Sequence, residues 1–266
     1  IACMASRNSF SCSKMNNTEK ARVDEVLVLQ GLCESRSQAK AFILAGQVRL
    51  GTEKLDKAAK IIPTNAPISL ERPMPYVGRG GLKMENFLRE SQIAVPSCPI
   101  LDLGASTGGF TDCLLQKGAS QATCIDVGHG QLHYKLRTDS RVTNFEKTNL
   151  RHLDATQFEG APFSLVVMDL SFISLRKVLS SAWGFVKNGG ILISLVKPQF
   201  ECKKEEADQT RGIIRDDKIR KRVLNEIITF AEEKLPEGKL LHKLEASPAG
   251  TDGNKEYFLA WQKLPS

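Results

Sequence analysis

The stretch Pro99-Ile-Leu-Asp-Leu-Gly-Ala-Ser-Thr-Gly-Gly-Phe-Thr-Asp-Cys-Leu-Leu115 restricts the fold more than any other. An apolar strand, Ile100 to Leu103, runs into a turn of small residues from Gly104 to Gly109. Phe110, Leu114 and Leu115 then recur at helical spacing, so a helix follows the turn. Glycines allow backbone to approach a ligand closely, and the first turn of a helix presents unpaired N–H groups. That geometry suits a cofactor held at the carboxyl end of a first parallel strand. The spacing G-x-x-x-G-G departs from the dinucleotide fingerprint G-x-G-x-x-G, which argues against NAD or FAD.

Four more strands follow. Ala122-Thr-Cys-Ile-Asp126 ends in an acid placed to accept hydrogen bonds from the hydroxyls of a ribose. Val142–Phe145 leads into Lys147-Thr-Asn-Leu150, which puts Asn149 near an adenine. Phe163–Met168 brings Asp169 to its tip, and Gly190–Val196 does the same for Lys197. Near-continuous apolar runs of this kind suit parallel strands buried on both faces, with helices between them. The expected fold is therefore α/β, a doubly wound Rossmann-like sheet in which Asp102, Asp126, Asp169 and Lys197 converge on one crevice. The glycine turn resembles the first motif of the S-adenosylmethionine-dependent methyltransferases. The resemblance implies cofactor contacts from Asp102, Gly104, Ser106, Thr107, Gly108, Gly109, Phe110, Asp126, Asn149 and Asp169.

Net charge is +7, and +5 of it falls within residues 1–80, which hold 12 Lys and Arg against 7 Asp and Glu. Such an asymmetry fits a basic module with an anionic partner. Val23, Val26, Leu27 and Leu29 form one helical face ending at Gly31. A second helix, capped by Ser35 or Ser37, runs to about Ala45 with Gly46 at its end. Gln47–Leu50 and Ala58–Ile62 read as strands around the Gly51-Thr52-Glu53 turn. Glu34-Ser-Arg-Ser-Gln-Ala-Lys40 and Ala45-Gly-Gln-Val48 resemble the S4 RNA-binding domain. That resemblance implies an α+β module whose Arg36, Lys40, Arg49 and Lys54 meet RNA backbone, with Arg79 as a further candidate. The expected boundaries are a leader at 1–20, the S4-like domain at 21–71, a proline-containing linker at 72–78 and a methyltransferase domain at 79–266.

The seven cysteines include no C-x-x-C and no His at zinc spacing, so no metal site is expected. No run approaches the length of a membrane span. The Ser-rich leader has the look of a transit remnant or of a tail, with Met15 as a candidate start; a cytoplasmic protein is expected unless the leader directs import.

Methylating a hydroxyl is an in-line displacement in which the enzyme aligns two centres and assists loss of a proton. A lysine serving as base has to be neutral, and burial beside another cation is one way to make it so. Tyr76-Val-Gly-Arg-Gly-Gly-Leu-Lys83 reads as a glycine loop followed by a helix, with Lys83 in the first turn. Lys83, Asp169, Lys197 and Glu256 match the Lys-Asp-Lys-Glu tetrad of the RrmJ/FtsJ-type ribose 2′-O-methyltransferases. Asp126-Val-Gly-His-Gly-Gln-Leu132 and Lys197-Pro-Gln-Phe-Glu201, behind an S4 module, are similar to the TlyA subfamily, often labelled haemolysins. Gly78 stands where many relatives have Ser. The resemblance implies S-adenosylmethionine as donor, cytidine 2′-hydroxyls of ribosomal RNA as acceptor, and Lys197 as the central base. A non-catalytic RNA-binding or ribosome-assembly factor is the competing reading, and an intact tetrad argues against it. A membrane-lytic protein would call for a basic amphipathic helix, which the sequence lacks.

Overall fold

The computed structural model describes residues 19–71, 74–150, 153, 158, 160–250 and 252–265. The chain divides into two compact units, Ile1–Pro73 and Met74–Ser266.

The first unit contains β1 (Lys20–Arg22), α1 (Val23–Leu29), α2 (Arg36–Leu44), β2 (Val48–Leu50), β3 (Glu53–Lys54), β4 (Ile61–Pro63) and β5 (Ile68–Leu70). Ser35 caps α2 by accepting from Gln38 N–H, and Gly46 follows the helix at φ +69°, a conformation that favours glycine. Val23, Val26, Leu27, Ile43 and Val48 are buried together as its core. The expected hairpin is corrected here. Strand β2 pairs with β3 and β5, whereas β4 is antiparallel to β1. Gly51 turns the chain straight back, so the short Glu53–Lys54 segment takes the partner position assigned to Ala58–Ile62.

The second unit runs α3 (Arg79–Ser91), β6 (Pro99–Leu103), α4 (Gly109–Gln116), β7 (Gln121–Ile125), α5 (Tyr134–Arg137), β8 (Val142–Phe145) and β9 (Phe163–Met168). It continues with α6 (Leu179–Gly184), β10 (Val186–Val196), α7 (Pro198–Glu201), α8 (Lys204–Gln209), α9 (Asp217–Lys234), β11 (Gly238–Glu245) and β12 (Tyr257–Lys263). The sheet order is β11-β12-β10-β9-β6-β7-β8. Strands β10, β9, β6, β7 and β8 are mutually parallel, and β12 joins β10 antiparallel with β11 outside it. Side chains alternate across the sheet. Leu101, Leu103, Val166 and Met168 pack against α6 and α9. Ile100, Leu165, Val167 and Ile193 pack with Met84 and Phe87 of α3 and with Phe110 and Leu114 of α4. The connections reverse direction between β6 and β9, and a doubly wound sheet opens a crevice at that point beyond the strand ends.

The glycines near residue 80 do not form a loop. Helix α3 already begins at Arg79, with Gly78 at its N-cap, so Lys83 lies in the second turn. Close packing is the reason. A Cβ on Gly81 would meet the Tyr76 ring, and one on Gly109 would lie 2.8 Å from Gly81 N. The missing side chains let α3 and α4 approach backbone to backbone. Gly109→Ala is accordingly expected to destabilise the protein by about 1–3 kcal/mol, the usual range for overpacking. Urea unfolding followed by circular dichroism checks this, and an unchanged midpoint would contradict it.

Candidate active site

A cavity of about 310 Å³ opens at the β6/β9 switch point. Its wall includes Arg79, Lys83, Asp102, Gly104, Ser106, Thr107, Gly109, Phe110, Asp169, Lys197 and Glu256. Eleven residues singled out in the sequence thus come together from five separate segments.

Two cation–carboxylate pairs dominate the polar wall. Lys83 Nζ lies 2.5 Å from Glu256 Oε2, joining α3 to the residue just before β12, with the two side chains 9% and 5% exposed. Lys197 Nζ lies 2.6 Å from Asp169 Oδ1 and donates to Ser171 Oγ at 2.9 Å. Asp169 and Lys197 sit at the tips of the neighbouring strands β9 and β10, so sheet register brings them together. Each lysine is therefore matched with its own acid.

The glycine turn forms a further part of the wall, next to Asp169. Gly104 has φ +83°, and a Cβ there would lie 2.6 Å from Asp169 O, so only glycine lets the two strand tips meet. Asp102 is fully buried beneath the turn, where its Oδ2 accepts from Thr111 N at 3.1 Å and Thr111 Oγ1 at 2.7 Å. Its Oδ1 has no hydrogen-bond partner among the described residues. Burial pushes this carboxyl up to about 7, with the Asp169 charge adding to the rise and Thr111 opposing it.

Three expected cofactor residues lie off this wall. Gly108 is the N-cap of α4 at φ +90°, closed in by Leu132 and Leu136. Asp126, at the end of β7, accepts from Ser106 N at 2.8 Å and Gly128 N at 2.7 Å. It organises the turn from behind. Asn149 belongs to the segment after β8 and also lies outside the cavity wall.

The basic residues of the first unit differ in availability. Arg36 pairs with the buried Asp24 at 2.9 Å and with Glu25 at 2.8 Å. Burial alone would raise the Asp24 carboxyl, yet its hydrogen bonds to Arg22 and Arg36 hold it below the ordinary carboxylate range. Arg49 pairs with Glu71 at 2.9 Å. The end of the Lys54 side chain lies over Gly46. Lys40 is exposed on α2.

Sequence reasoning missed Ser171 and Phe172 on the cavity wall, where Gln199 and Phe200 join them from the segment after Lys197. Phe172 is 91% exposed and holds φ +63°, a strained conformation for a bulky residue. The Phe200 ring lies 5.1 Å from it. The signal was an aromatic residue in a polar loop three positions after Asp169; exposure itself is not written in a sequence. Among the described residues there is no cluster suited to a metal ion, and no helix is long and apolar enough to cross a membrane.

The FtsJ-like methyltransferase family model matches residues 76–263, and the S4 domain model matches residues 21–68. The chain belongs to the FtsJ-like methyltransferases. It is 40% identical to the 16S/23S rRNA (cytidine-2′-O)-methyltransferase TlyA of Mycobacterium tuberculosis, covering 90% of this chain and 89% of that protein. It is 37% identical to the 23S rRNA (cytidine-2′-O)-methyltransferase TlyA of Campylobacter jejuni, over 97% and 99% of the two chains. A hemolysin structure from Streptococcus thermophilus superposes with a TM-score of 0.70 at 36% identity, over 94% of this chain and 90% of that one. The FtsJ-like match spans the mixed α/β sheet, and the S4 match spans the small N-terminal module.

Proposed function

We propose that this methyltransferase transfers a methyl group from S-adenosylmethionine to ribose 2′-hydroxyls of cytidine in ribosomal RNA. The observation that carries the reading is the pair of ion pairs, Lys83–Glu256 and Lys197–Asp169, lining one cavity together with a glycine turn. The relatives' names supply the acceptor class. An RNA-binding or assembly factor would have no use for this arrangement.

The residues fit the donor. The unpartnered Asp102 Oδ1 and the raised carboxyl it belongs to are what a cationic ligand would relieve. Gly104 and Gly109 both line the cavity, so part of its wall is backbone without a side chain. Asp102, Gly104, Ser106, Thr107 and Phe110 would hold the donor, which when bound supplies an electrophilic methyl on a sulfonium. Lys197 Nζ would take the proton of the 2′-hydroxyl as the carbon–oxygen bond forms and the methyl carbon leaves the sulfonium sulfur as a neutral thioether. Asp169 and Ser171 fix the position of that nitrogen. Lys83 and Glu256 form the second, more deeply buried pair and anchor α3 against β12. Phe172 and Phe200 offer a face on which an unstacked base can rest.

Tritiated methyl transfer to separated small and large ribosomal subunits, followed by mapping of the modified nucleotide, tests the reading. Label confined to base atoms, or no label in RNA, would remove it. The S4-like unit supplies the RNA footprint, with Lys40 an exposed cation on α2. Lys40→Ala is expected to reduce the slope of log affinity against log salt by about one. Arg36→Ala is expected to act on thermal stability, because its guanidinium already serves Asp24 and Glu25. Filter binding over a salt series, with a melting curve for each variant, separates the two outcomes.

A further inference from the structure

Lys197-Pro-Gln-Phe-Glu201 ends in a carboxylate that the chemistry above does not use. Glu201 closes the single turn of α7 that starts directly after Lys197, and its side chain is 1% exposed. A buried acid of this kind needs partners. All of them come from one segment, the loop that follows Asp169. Leu175 N donates to Oε1 at 2.6 Å, and Ser174 Oγ donates to Oε2 at 2.6 Å. Arg176 Nη1 donates at 3.2 Å to Oε2 and also to the Glu201 carbonyl.

The location matters because sheet pairing stops just short of it. Register between β9 and β10 runs to Met168 and Ser194, which accounts for Asp169 and Lys197 at the tips. Beyond the tips the two segments leave the sheet, and residues 170–174 belong to no strand or helix. Ser171 and Phe172 lie in that irregular stretch, one bonded to Lys197 and the other rimming the cavity.

We propose that Glu201 is a positioning residue for methyl transfer: its carboxylate ties the 170–176 loop to the turn carrying Lys197, and so sets where Lys197, Ser171 and Phe172 stand relative to one another. This inference rests on the reading of Lys197 as the base. The tie extends outward. Arg176 Nη2 reaches Glu226 Oε2 at 3.1 Å, Arg222 bridges Glu226 at 2.7 Å and Glu206 at 2.6 Å, and Glu206 lies in α8. A chain of alternating charges thus links the loop, the lysine turn, α9 and α8. Its buried end is Glu201; the outer links are partly exposed and contribute less.

The test is a set of full-length variants assayed on unmethylated ribosomal subunits beside the wild type. Glu201→Ala deprives Leu175 N–H and Ser174 Oγ of their acceptor. Its kcat is expected to fall by about 10- to 100-fold, as ångström-scale misplacement of catalytic groups does, with S-adenosylmethionine affinity retained. Glu201→Gln keeps a carbonyl oxygen for Leu175 and is expected to restore most of the rate. Amide hydrogen exchange, which needs no substrate, is expected to show Leu175 N–H protected in the wild type and in Glu201→Gln and exposed in Glu201→Ala. If Glu201→Ala does not fold, Ser174→Ala removes one donor and is expected to lower kcat without changing donor affinity. A Glu201→Ala or Ser174→Ala protein that melts earlier but turns over at the wild-type rate would overturn the proposal. An inactive wild type would instead overturn the functional reading, and the exchange result would then stand by itself.

Discussion

Lys197→Ala is expected to lower the rate of methyl transfer to ribosomal subunits by about 10²- to 10⁴-fold, the contribution of a positioned base. Affinity for S-adenosylmethionine should be retained. The physical reason is division of labour across the cavity. The glycine turn and Asp102 belong to β6 and α4, whereas Lys197 stands at the tip of β10, held by Asp169 and Ser171 from beyond β9. Truncation at Lys197 removes the proton acceptor and leaves the donor wall unchanged. Single-turnover tritium transfer reads the chemical step, and calorimetric titration reads donor binding. Wild-type turnover in Lys197→Ala would sink the assignment of the base; loss of donor affinity would place Lys197 in the cofactor site.

The second large effect is on stability. Lys83 and Glu256 are both nearly inaccessible to water, so removing either charge leaves the other buried without a partner. Glu256→Gln and Lys83→Met are each expected to cost about 3–5 kcal/mol. For a unit of this size that is a fall in Tm on the order of 10 °C. The double variant Lys83→Met with Glu256→Leu should recover much of that loss, since a well-packed apolar pair can substitute for a buried ion pair. Activity should stay low in all three. Thermal melts monitored by circular dichroism decide the matter. Single variants that melt with the wild type would show that the pair is not an anchor. Recovery of turnover in the double variant would show that neither charge takes part in the chemistry.

How much of this could be read in advance depends on whether the signal was local. The strands of the large sheet were legible because Phe163–Met168 and Gly190–Val196 are apolar runs bounded by breaks, and a residue at a strand tip is located once the strand is. Asp169 and Lys197 followed directly. The tetrad as a set was legible only through resemblance, since Lys83 and Glu256 are 173 residues apart and nothing local joins them. The extent of α3 was misjudged because Gly80 and Gly81 usually end helices, while here they serve a contact with Tyr76 and Gly109 that is invisible in one dimension. Arg36 was a candidate RNA ligand through the S4 resemblance; its engagement with Asp24 and Glu25 depends on how α1 and α2 pack. Asp126 was located by its spacing from the glycine turn; that its carboxylate also accepts from Ser106 N and Gly128 N depends on how the two turns fold against each other.

Strand β12 lies between β10 and β11, and Glu256 reaches the cavity from the residue just before it. A chain still being synthesised therefore has neither the Lys83–Glu256 pair nor the full cavity wall until residues past 256 have left the ribosome. Up to that point β10 presents a bare edge, the kind of surface that pairs with other chains. Closing that edge and delivering the last charged group are one event. An interrupted translation product would lack the Glu256 carboxylate and keep the β10 edge unpaired, with its S4-like unit already made.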